Sequence, residues 1–406
     1  MKKLTIALMV VLLSVMGFAA HADTAMARGA DISWCTEMEA AGKKFYNSKG
    51  VETDIFTLMK EIGMTAIRLR VWVNPSGFGY GAWCDKADVL AKAKRAHDQG
   101  LDLLIDFHYS DFFADPGTQT KPKDWYSYTF AQLKTAVADH TTDVLTALRD
   151  AGIEPKWVQV GNETNLGMIW NNGKIDWNQP ESTRFSNYAA LSNSGYDAVK
   201  AVFPNAKVIL HLANAYKAAD SDGWFFSEFK RAGGKFDIIG LSHYPDWTDW
   251  QSSTAGKVSN VNAAKSIESL GKIFGVPVML VETGYDSYDA VRAKNVMQDL
   301  FDRLTPLACC AGIFYWEPEV DGVWKPDYYN SKGWNAYKMG AFTTSGRPTV
   351  ALDPFKGSTD AIETVGSDDA SAPVEWFDLQ GRRLNAPAHG INIRNQGSHT
   401  GKVTVP

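Results

Sequence analysis

The chain has few cysteines and a small net charge, and both observations limit the kinds of partner and metal site that it can have. It has 406 residues with four cysteines and a net charge of −5, from 41 basic and 46 acidic residues. Charges of both signs are mixed along the chain, so no basic stripe points to nucleic acid. No spacing of cysteine and histidine matches a zinc site. We therefore expect a neutral partner, no nucleic acid, no metal ion and no cofactor.

Long apolar runs are also scarce, and the one that stands out lies at the start. Met1, Lys2 and Lys3 precede an apolar run that closes on Ala20-His21-Ala22. A basic start, an apolar run and an Ala-x-Ala end are typical of a signal peptide, so residues 1–22 are predicted to be removed on export. No other run approaches the ~20 apolar residues of a membrane span. The sequence thus predicts an exported protein, periplasmic or extracellular, with no membrane span.

Export permits disulfides, so the four cysteines are candidates for pairing. Cys35 follows the first predicted strand and Cys84 follows the second, which places both at one rim of the fold. Cys309 and Cys310 are adjacent and cannot easily bridge each other. We therefore expect a disulfide between Cys35 and Cys84 and two buried thiols. The alternative is four free thiols.

Short apolar strands alternate with amphipathic helices from residue 29 onward, in eight units. No Gly-x-Gly-x-x-Gly turn follows the first strand, which disfavours a doubly wound dinucleotide-binding sheet. Eight units with nearly continuous apolar strands favour an α/β fold of the (β/α)8 TIM barrel type. The predicted strands are Ala30–Trp34, Ala66–Val73, Leu101–Tyr109, Trp157–Thr164, Lys207–Ala213, Asp237–Tyr244, Pro277–Tyr285 and Gly312–Glu317.

Composition divides the rest of the chain. Residues 23–354 are predicted to form the catalytic barrel. Residues 355–372 are polar and lose periodicity, which is typical of a linker. Residues 373–406 contain three short strand-like stretches separated by turns, and they predict a small C-terminal β module that can bury little surface alone. We expect a monomer.

Two predicted strands end in a glutamate. Gly161 and Asn162 lead from the fourth strand to Glu163, and the seventh strand runs into Glu282. In a TIM barrel the active site lies at the carboxyl ends of the strands. Carboxylates on strands four and seven would face each other about 5.5 Å apart, as in retaining glycosidases. A surface glutamate at each strand end is the alternative, and it explains one such position more readily than two.

The surroundings predict a role for each glutamate. Arg70 on strand two is expected to reach Glu282 and hold it ionised as the nucleophile. Glu163 is expected to keep its proton and to act as the acid and then the base. Asn162 is placed to bond a sugar 2-hydroxyl. Arg70 has an alternative role in an ion pair with Asp106 inside the barrel.

Other strand ends and loops carry polar and aromatic side chains that suit the hydroxyls of a sugar. No glycine-rich phosphate cradle accompanies strands seven and eight. The two histidines in this group could instead be core residues with satisfied hydrogen bonds, and Trp316 could pack the barrel top. The further residues expected to bind substrate are Asp31, His108, Asp111, His243, Tyr244, Trp316 and Trp324.

Several short stretches form an ordered set along the barrel: Gly29 to Trp34, Ile67 to Pro75, Leu104 to Asp111, Gln159 to Glu163 and Phe314 to Pro318. This set resembles family 53 of the glycoside hydrolases, the endo-β-1,4-galactanases. The resemblance implies hydrolysis of β-1,4-galactan in type I arabinogalactan, with Glu163 as proton donor and Glu282 as nucleophile. Resemblance to barrel glycosidases also implies a cis peptide bond between Trp316 and Glu317. The calcium-binding loop that some relatives carry after strand seven is missing.

Two other functions compete with an endo-acting galactanase. The same catalytic pair would serve another retaining β-1,4-glycanase, such as a mannanase or a glucanase, because it does not report which hydroxyl is axial. A non-catalytic glycan-binding protein on a barrel scaffold would be favoured by the loss of either glutamate. Both glutamates are present.

Overall fold

The protein was analysed as a computed structural model, which describes residues 26–79, 81–246, 257–356, 374–378, 382–388, 390–396 and 399–405. The predicted signal peptide and most of the predicted linker lie outside these residues. No helix in the described ranges is both long enough and apolar enough to cross a membrane.

Eight parallel strands close into a barrel, which confirms the predicted fold class. Each strand pairs with the next in sequence, and the last pairs with the first. Nearly every residue of these strands is buried, as expected of strands that are covered on both faces. The strands are β1 Ala27–Asp31, β2 Ala66–Val71, β3 Asp102–Phe107, β4 Trp157–Val160, β5 Lys207–Leu212, β6 Ile238–His243, β7 Val278–Thr283 and β8 Cys310–Trp316.

Helices lie between the strands and cover the outside of the barrel. Their ends follow local chemistry: the Asp54 side chain caps the helix Ile55–Ile62, and Gly63 ends that helix in the left-handed region. Thr129 and Gln132 form a reciprocal capping box at the start of the helix Phe130–Asp150. The helices are α1 Cys35–Ala40, α2 Ile55–Ile62, α3 Lys86–Asp98, α4 Phe130–Asp150, α5 Ser186–Val202, α6 Ala218–Arg231, α7 Lys257–Phe274, α8 Ala290–Leu304 and α9 Asp327–Lys332.

The inside of the barrel has an apolar lower layer and a charged upper layer. Arg68 and Arg70 on β2 face the same side because the strand period is two, and register pairs Asp31 with Arg68 and Arg70 with Asp106. All four side chains are fully buried. Below them lies an apolar cluster made of Ala27, Ala66, Leu104, Trp157, Ile209, Ile238, Met279, Val281 and Phe314. The upper layer opens at the carboxyl ends of the strands, the mouth of the barrel.

The C-terminal residues form a separate four-stranded antiparallel sheet. Its strands are β9 Val374–Phe377, β10 Arg383–Leu384, β11 Gly390–Gln396 and β12 His399–Val405, in the order β10-β9-β11-β12. The sequence predicts only three strands here. The extra strand has two residues, which are too few to show an alternating pattern.

Candidate active site

The two predicted catalytic carboxylates lie at the mouth of the barrel. Glu163 follows β4, where the chain turns through a left-handed backbone conformation with φ of 46°. Glu282 lies near the end of β7 and is buried, whereas Glu163 is half-buried. Burial raises the pKa of Glu163 to about 8, and the negative charge of Glu282 adds to the rise. Glu163 can therefore keep a proton at neutral pH, which a general acid requires.

Arg68, rather than Arg70, contacts Glu282. Arg68 Nη2 is 2.9 Å from Glu282 Oε1, and the same guanidinium pairs with Asp31 and Asp106 at 2.7 and 2.8 Å. Arg70 lies two residues further along β2 and forms a close ion pair with Glu317 instead. The prediction that Arg70 reaches Glu282 was therefore wrong. The alternative pairing of Arg70 with Asp106 was also wrong, because Arg68 takes that partner.

Both oxygens of the Glu282 carboxylate have hydrogen-bond partners. The Tyr244 hydroxyl donates to Glu282 Oε2 at 3.0 Å, opposite the oxygen that meets Arg68. Burial raises the pKa of Glu282, and Arg68 and the Tyr244 hydrogen bond oppose that rise. Two donors to one carboxylate fix its orientation and favour its ionised form. The structure thus places Tyr244 against the predicted nucleophile.

His211 and Ser242 support Glu163, and the sequence analysis did not include them in the site. His211 Nε2 is 2.8 Å from Ser242 Oγ, and His211 Nδ1 accepts the backbone N–H of Glu163 at 3.2 Å. The Ser242 hydroxyl in turn bonds the Glu163 carboxyl and lowers its pKa against the effect of burial. Burial lowers the pKa of His211 well below its usual value, so the ring is neutral and donates through Nε2.

Asn162 and Asp31 hold Arg68 in place. Asn162 Oδ1 accepts from Arg68 Nη2 at 2.8 Å, and Asn162 Nδ2 donates to the Ala114 carbonyl at 2.8 Å. One oxygen of Asp31 meets Arg68, and the other accepts from the backbone and the hydroxyl of Ser33. Asp31 is 0% exposed, so it orients Arg68 and does not reach a sugar. Asn162 is 5% exposed and lies directly beside Glu163.

The polar atoms of His108 and Asp111 form hydrogen bonds within the protein. His108 Nε2 is 2.9 Å from Asp106 Oδ2, and its Nδ1 accepts the Ala114 backbone N–H at 3.0 Å. The two oxygens of Asp111 accept the backbone N–H groups of Asn74 and Lys123, each at 2.8 Å. Sugar contacts were expected of both residues, but this geometry gives them a loop-anchoring role. For His108 the alternative of a satisfied core histidine fits.

His243 lies outside the barrel interior. It is fully buried, and its Nε2 is 2.8 Å from Asn260 Oδ1 on α7. Ser242 occupies the inward position of β6, so a period of two directs His243 towards the covering helices. The prediction that His243 binds substrate is corrected accordingly.

Trp316 and Trp324 lie at the mouth in an aromatic cluster around Trp34. Their ring centroids are 5.2 and 5.8 Å from that of Trp34, and both side chains are only partly buried. Tyr337 meets Trp316 edge-on at 4.6 Å. The peptide bond between Trp316 and Glu317 is not cis, so that prediction was wrong; the cis bond in the described chain joins Trp170 and Asn171.

Cys35 and Cys84 are buried free thiols, so the predicted disulfide is wrong. They lie near one rim as expected, but Cys84 Sγ points to the Ser33 carbonyl at 3.7 Å and to Lys92 Nζ at 3.9 Å. Burial raises the pKa of Cys84 to about 11 and that of Cys35 well above its usual value. Neither thiol is an active nucleophile at neutral pH. Within the described residues, no group of three His, Cys, Asp or Glu side chains is arranged to hold a metal ion.

Comparison with known proteins decides the family. The sequence profile of glycosyl hydrolase family 53 matches residues 27–355, the whole barrel. The chain belongs to this family. It is 34% identical to the arabinogalactan endo-beta-1,4-galactanase of Cellvibrio japonicus over 346 residues, which cover 78% of this chain and 87% of the relative. It is 29% identical to the endo-beta-1,4-galactanase of Bacillus subtilis over 318 residues, 72% of this chain and 69% of the relative.

Solved family 53 structures share the architecture. The catalytic domain from Ignisphaera aggregans superposes with a TM-score of 0.69 at 27% identity, covering 83% of this chain and 97% of that domain. One of two fungal beta-1,4-galactanases superposes with a TM-score of 0.68 at 27% identity, covering 82% of this chain and all of that one. These matches confirm the family resemblance, and the protein is a glycoside hydrolase. The sheet β9–β12 lies outside the matched residues.

Proposed function

We propose that the protein is a secreted, retaining endo-β-1,4-galactanase that cleaves the β-1,4-galactan chains of type I arabinogalactan. The observation that carries the proposal is the unequal setting of two carboxyl groups at the mouth. Arg68 opposes the effect of burial on the pKa of Glu282, whereas burial and the charge of Glu282 raise the pKa of Glu163 to about 8. Such a pair matches the nucleophile and the acid of a double displacement. Family membership and the names of the relatives support the substrate.

In the first step, a Glu282 oxygen attacks the anomeric carbon while Glu163 gives its proton to the departing glycosidic oxygen. The bond to the leaving sugar breaks as the ester bond to Glu282 forms. Arg68 and Tyr244 keep the nucleophile ionised and oriented before attack. We assign to Asn162, beside the acid, a bond to the 2-hydroxyl of the cleaved sugar, a contact that strengthens in an oxocarbenium-like transition state.

In the second step, Glu163 removes a proton from water, and the water oxygen displaces Glu282 from the sugar. Formation of the ester removes the negative charge of Glu282, one of the causes that raise the pKa of Glu163. The pKa of Glu163 therefore falls when the residue must become a base. Two displacements at one carbon give net retention of configuration.

The assay that tests the proposal compares galactan, mannan and a soluble cellulose as substrates. Reducing ends, viscosity and product sizes are followed, and NMR of early products reports the anomer. We expect galactan to be preferred, an early fall in viscosity and a β-anomer formed first. Release of single galactose units without loss of viscosity would refute the endo mode. Equal rates on mannan and galactan would favour a broader retaining β-1,4-glycanase.

Export and monomeric state are part of the proposal. Residues 1–22 have the three-part pattern of a signal peptide. Edman sequencing of the secreted protein is expected to start at Asp23, and sedimentation is expected to give the mass of one chain. A first cycle at Met1 would refute removal of a signal peptide.

A further inference from the structure

A small cavity lies at the mouth, apart from the two catalytic glutamates. Its volume is about 210 Å³, and it is lined by the loop after β3, including Phe112, Phe113 and Lys121, and by Lys332 and Trp334 at the end of α9. Phe113, which lines the cavity, also packs against the Trp34 cluster, since its ring lies 6.1 Å from that of Trp316. The cavity therefore adjoins the proposed sugar cleft and has room for about one sugar ring.

Aromatic rings form one side of this cavity. Trp334 is 43% exposed, and its ring lies 5.6 Å from that of Phe112 at an angle of 39°. Tyr329 contacts Trp334 edge-on, with the two ring centroids 5.2 Å apart. An aromatic side chain that is held by a neighbouring ring and keeps an exposed surface suits the C–H faces of a pyranose. Thr118 and Thr120 line the same space.

The charge of the cavity does not suit a neutral sugar. Lys121 and Lys332 both line it, and Asp111 is the single carboxylate among its lining residues. The two oxygens of Asp111 already accept backbone N–H groups of Asn74 and Lys123. The described part of the chain gives Lys121 no carboxylate within ion-pair distance. Lys332 Nζ also lies over the Phe112 ring, 5.7 Å from its centroid. With two lysines and one aspartate, the lining residues carry a net positive charge, which a neutral galactan chain does not require.

We propose that this cavity is a subsite for a hexuronate, a sugar whose carboxylate is bound by Lys121 and Lys332 while its ring rests on Trp334. The proposal rests on the proposed function, because it assigns the acidic sugar to the same polysaccharide whose neutral chain occupies the cleft. It predicts that the enzyme recognises galactan close to where the chain is joined to an acidic backbone. Both lysines are at least partly exposed, so their contribution is modest. We expect kcat/KM to be about fivefold to tenfold higher on a uronate-containing substrate than on a neutral one.

The kinetic test uses two substrates: linear β-1,4-galactan without uronate, and galactan still attached to a de-esterified galacturonate-containing backbone. In the double variant Lys121→Gln/Lys332→Gln, kcat/KM on the acidic substrate is expected to fall fivefold to tenfold. Its kcat/KM on the neutral substrate should equal that of wild type. High salt should abolish the wild-type advantage. The control Lys235→Gln/Lys272→Gln removes two exposed charges that precede β6 and β7, at the opposite end of the barrel, and should behave as wild type.

A binding measurement separates failure of this proposal from failure of the proposed function. NMR titration with trigalacturonate is expected to show binding to wild type and to the control, and at least fivefold weaker binding to the Lys121/Lys332 variant. Equal affinity in all three proteins, or equal kinetics on the acidic substrate, overturns the uronate subsite. Absence of cleavage of neutral galactan by wild type refutes the galactanase proposal instead, and the titration then decides the cavity alone.

Discussion

Arg68 Nη2 and Glu282 Oε1 are 2.9 Å apart at the top of the barrel, in a site where the guanidinium is 0% exposed. The same arginine meets Asp31 and Asp106, so one cation serves three buried carboxylates. Breaking one buried pair by removing a partner typically destabilises a protein by about 3 to 5 kcal/mol. Arg68 therefore links the charge of the proposed nucleophile to the stability of the barrel interior.

Glu282→Ala should abolish turnover of galactan, and azide should restore part of it on a substrate with an activated leaving group. A small anion fills the space left by the carboxylate and attacks in its place, so the product is a glycosyl azide of inverted configuration. Glu163→Ala with azide should instead give a glycosyl azide of retained configuration. Product NMR distinguishes the two, and the reverse pattern would exchange the roles of the two glutamates.

Arg68→Lys should lower kcat/KM by at least about tenfold and move the acidic limb of its pH profile to higher pH. Arg68 lowers the pKa of Glu282, so weakening the contact raises that pKa, and more of the nucleophile is protonated at low pH. Arg70→Lys is the matched control, because Arg70 pairs with Glu317 and not with Glu282. A shifted acidic limb in the Arg70 variant alone would contradict the assignment. Thermal melts of both variants report their folding.

The alkaline limb of kcat/KM should follow Glu163, with activity falling as the pH rises through about 8. Ser242→Ala removes a hydrogen bond that lowers the pKa of Glu163, so the limb should move to higher pH. Ser266→Ala on α7, whose hydroxyl bonds the Asn262 carbonyl at 3.0 Å, is the control and should leave the limb in place. If the alkaline limb lies at the same pH in wild type and in Ser242→Ala, Ser242 does not influence the pKa of Glu163.

Glu163→Gln should stabilise the folded protein while it inactivates the enzyme. The pKa of Glu163 is raised in the folded state, so unfolding releases its proton and becomes easier as the pH rises from about 4.5 to about 8. Glutamine carries no proton to release. The free energy of unfolding of the variant should exceed that of wild type by on the order of 1 to 3 kcal/mol at pH 8 and by little at pH 4. Melting curves across this range test it, with the exposed Glu61→Gln as an unchanged control.

Reducing agent should not change the melting temperature, because Cys35 and Cys84 are free thiols. Mass spectrometry of a non-reduced digest of the exported protein should recover their two peptides separately. Iodoacetamide should label both only after unfolding, since both are 0% exposed. A cross-linked peptide containing both residues would restore the disulfide that the sequence predicts.

The sequence predicts the barrel and the position of the two glutamates at strand ends, because both depend on local patterns. An apolar strand that ends in a polar residue marks a strand end, and in this fold strand ends form the site. The alternation of side chains along β6 also indicates that His243 lies outside the site. Ile238, Gly240 and Ser242 share the inward face of the strand, so His243 faces the helices. Applying the period through the last strand residue would have selected Ser242.

Other features depend on relations between strands that no local pattern contains. Arg68 and Arg70 alternate identically, and which one reaches Glu282 depends on the stagger of β2 against β7 across the barrel. Proximity of two loops likewise does not tell where a thiol points, and Cys84 turns to the Ser33 carbonyl. Within the barrel, most of the errors concern the direction of side chains rather than the placement of strands.

The two layers inside the barrel divide the constraints on its sequence: the lower layer serves stability, and the upper layer serves the chemistry. The apolar lower layer, from Ala27 to Phe314, lies beneath the charged side chains, so its substitution is expected to change stability rather than the chemistry. The charged upper layer around Arg68 must stay polar to keep Arg68 paired with Glu282 and to set the pKa of Glu163. Laboratory evolution for heat tolerance should therefore accumulate its successful changes at the closed end of the barrel and leave the open end untouched.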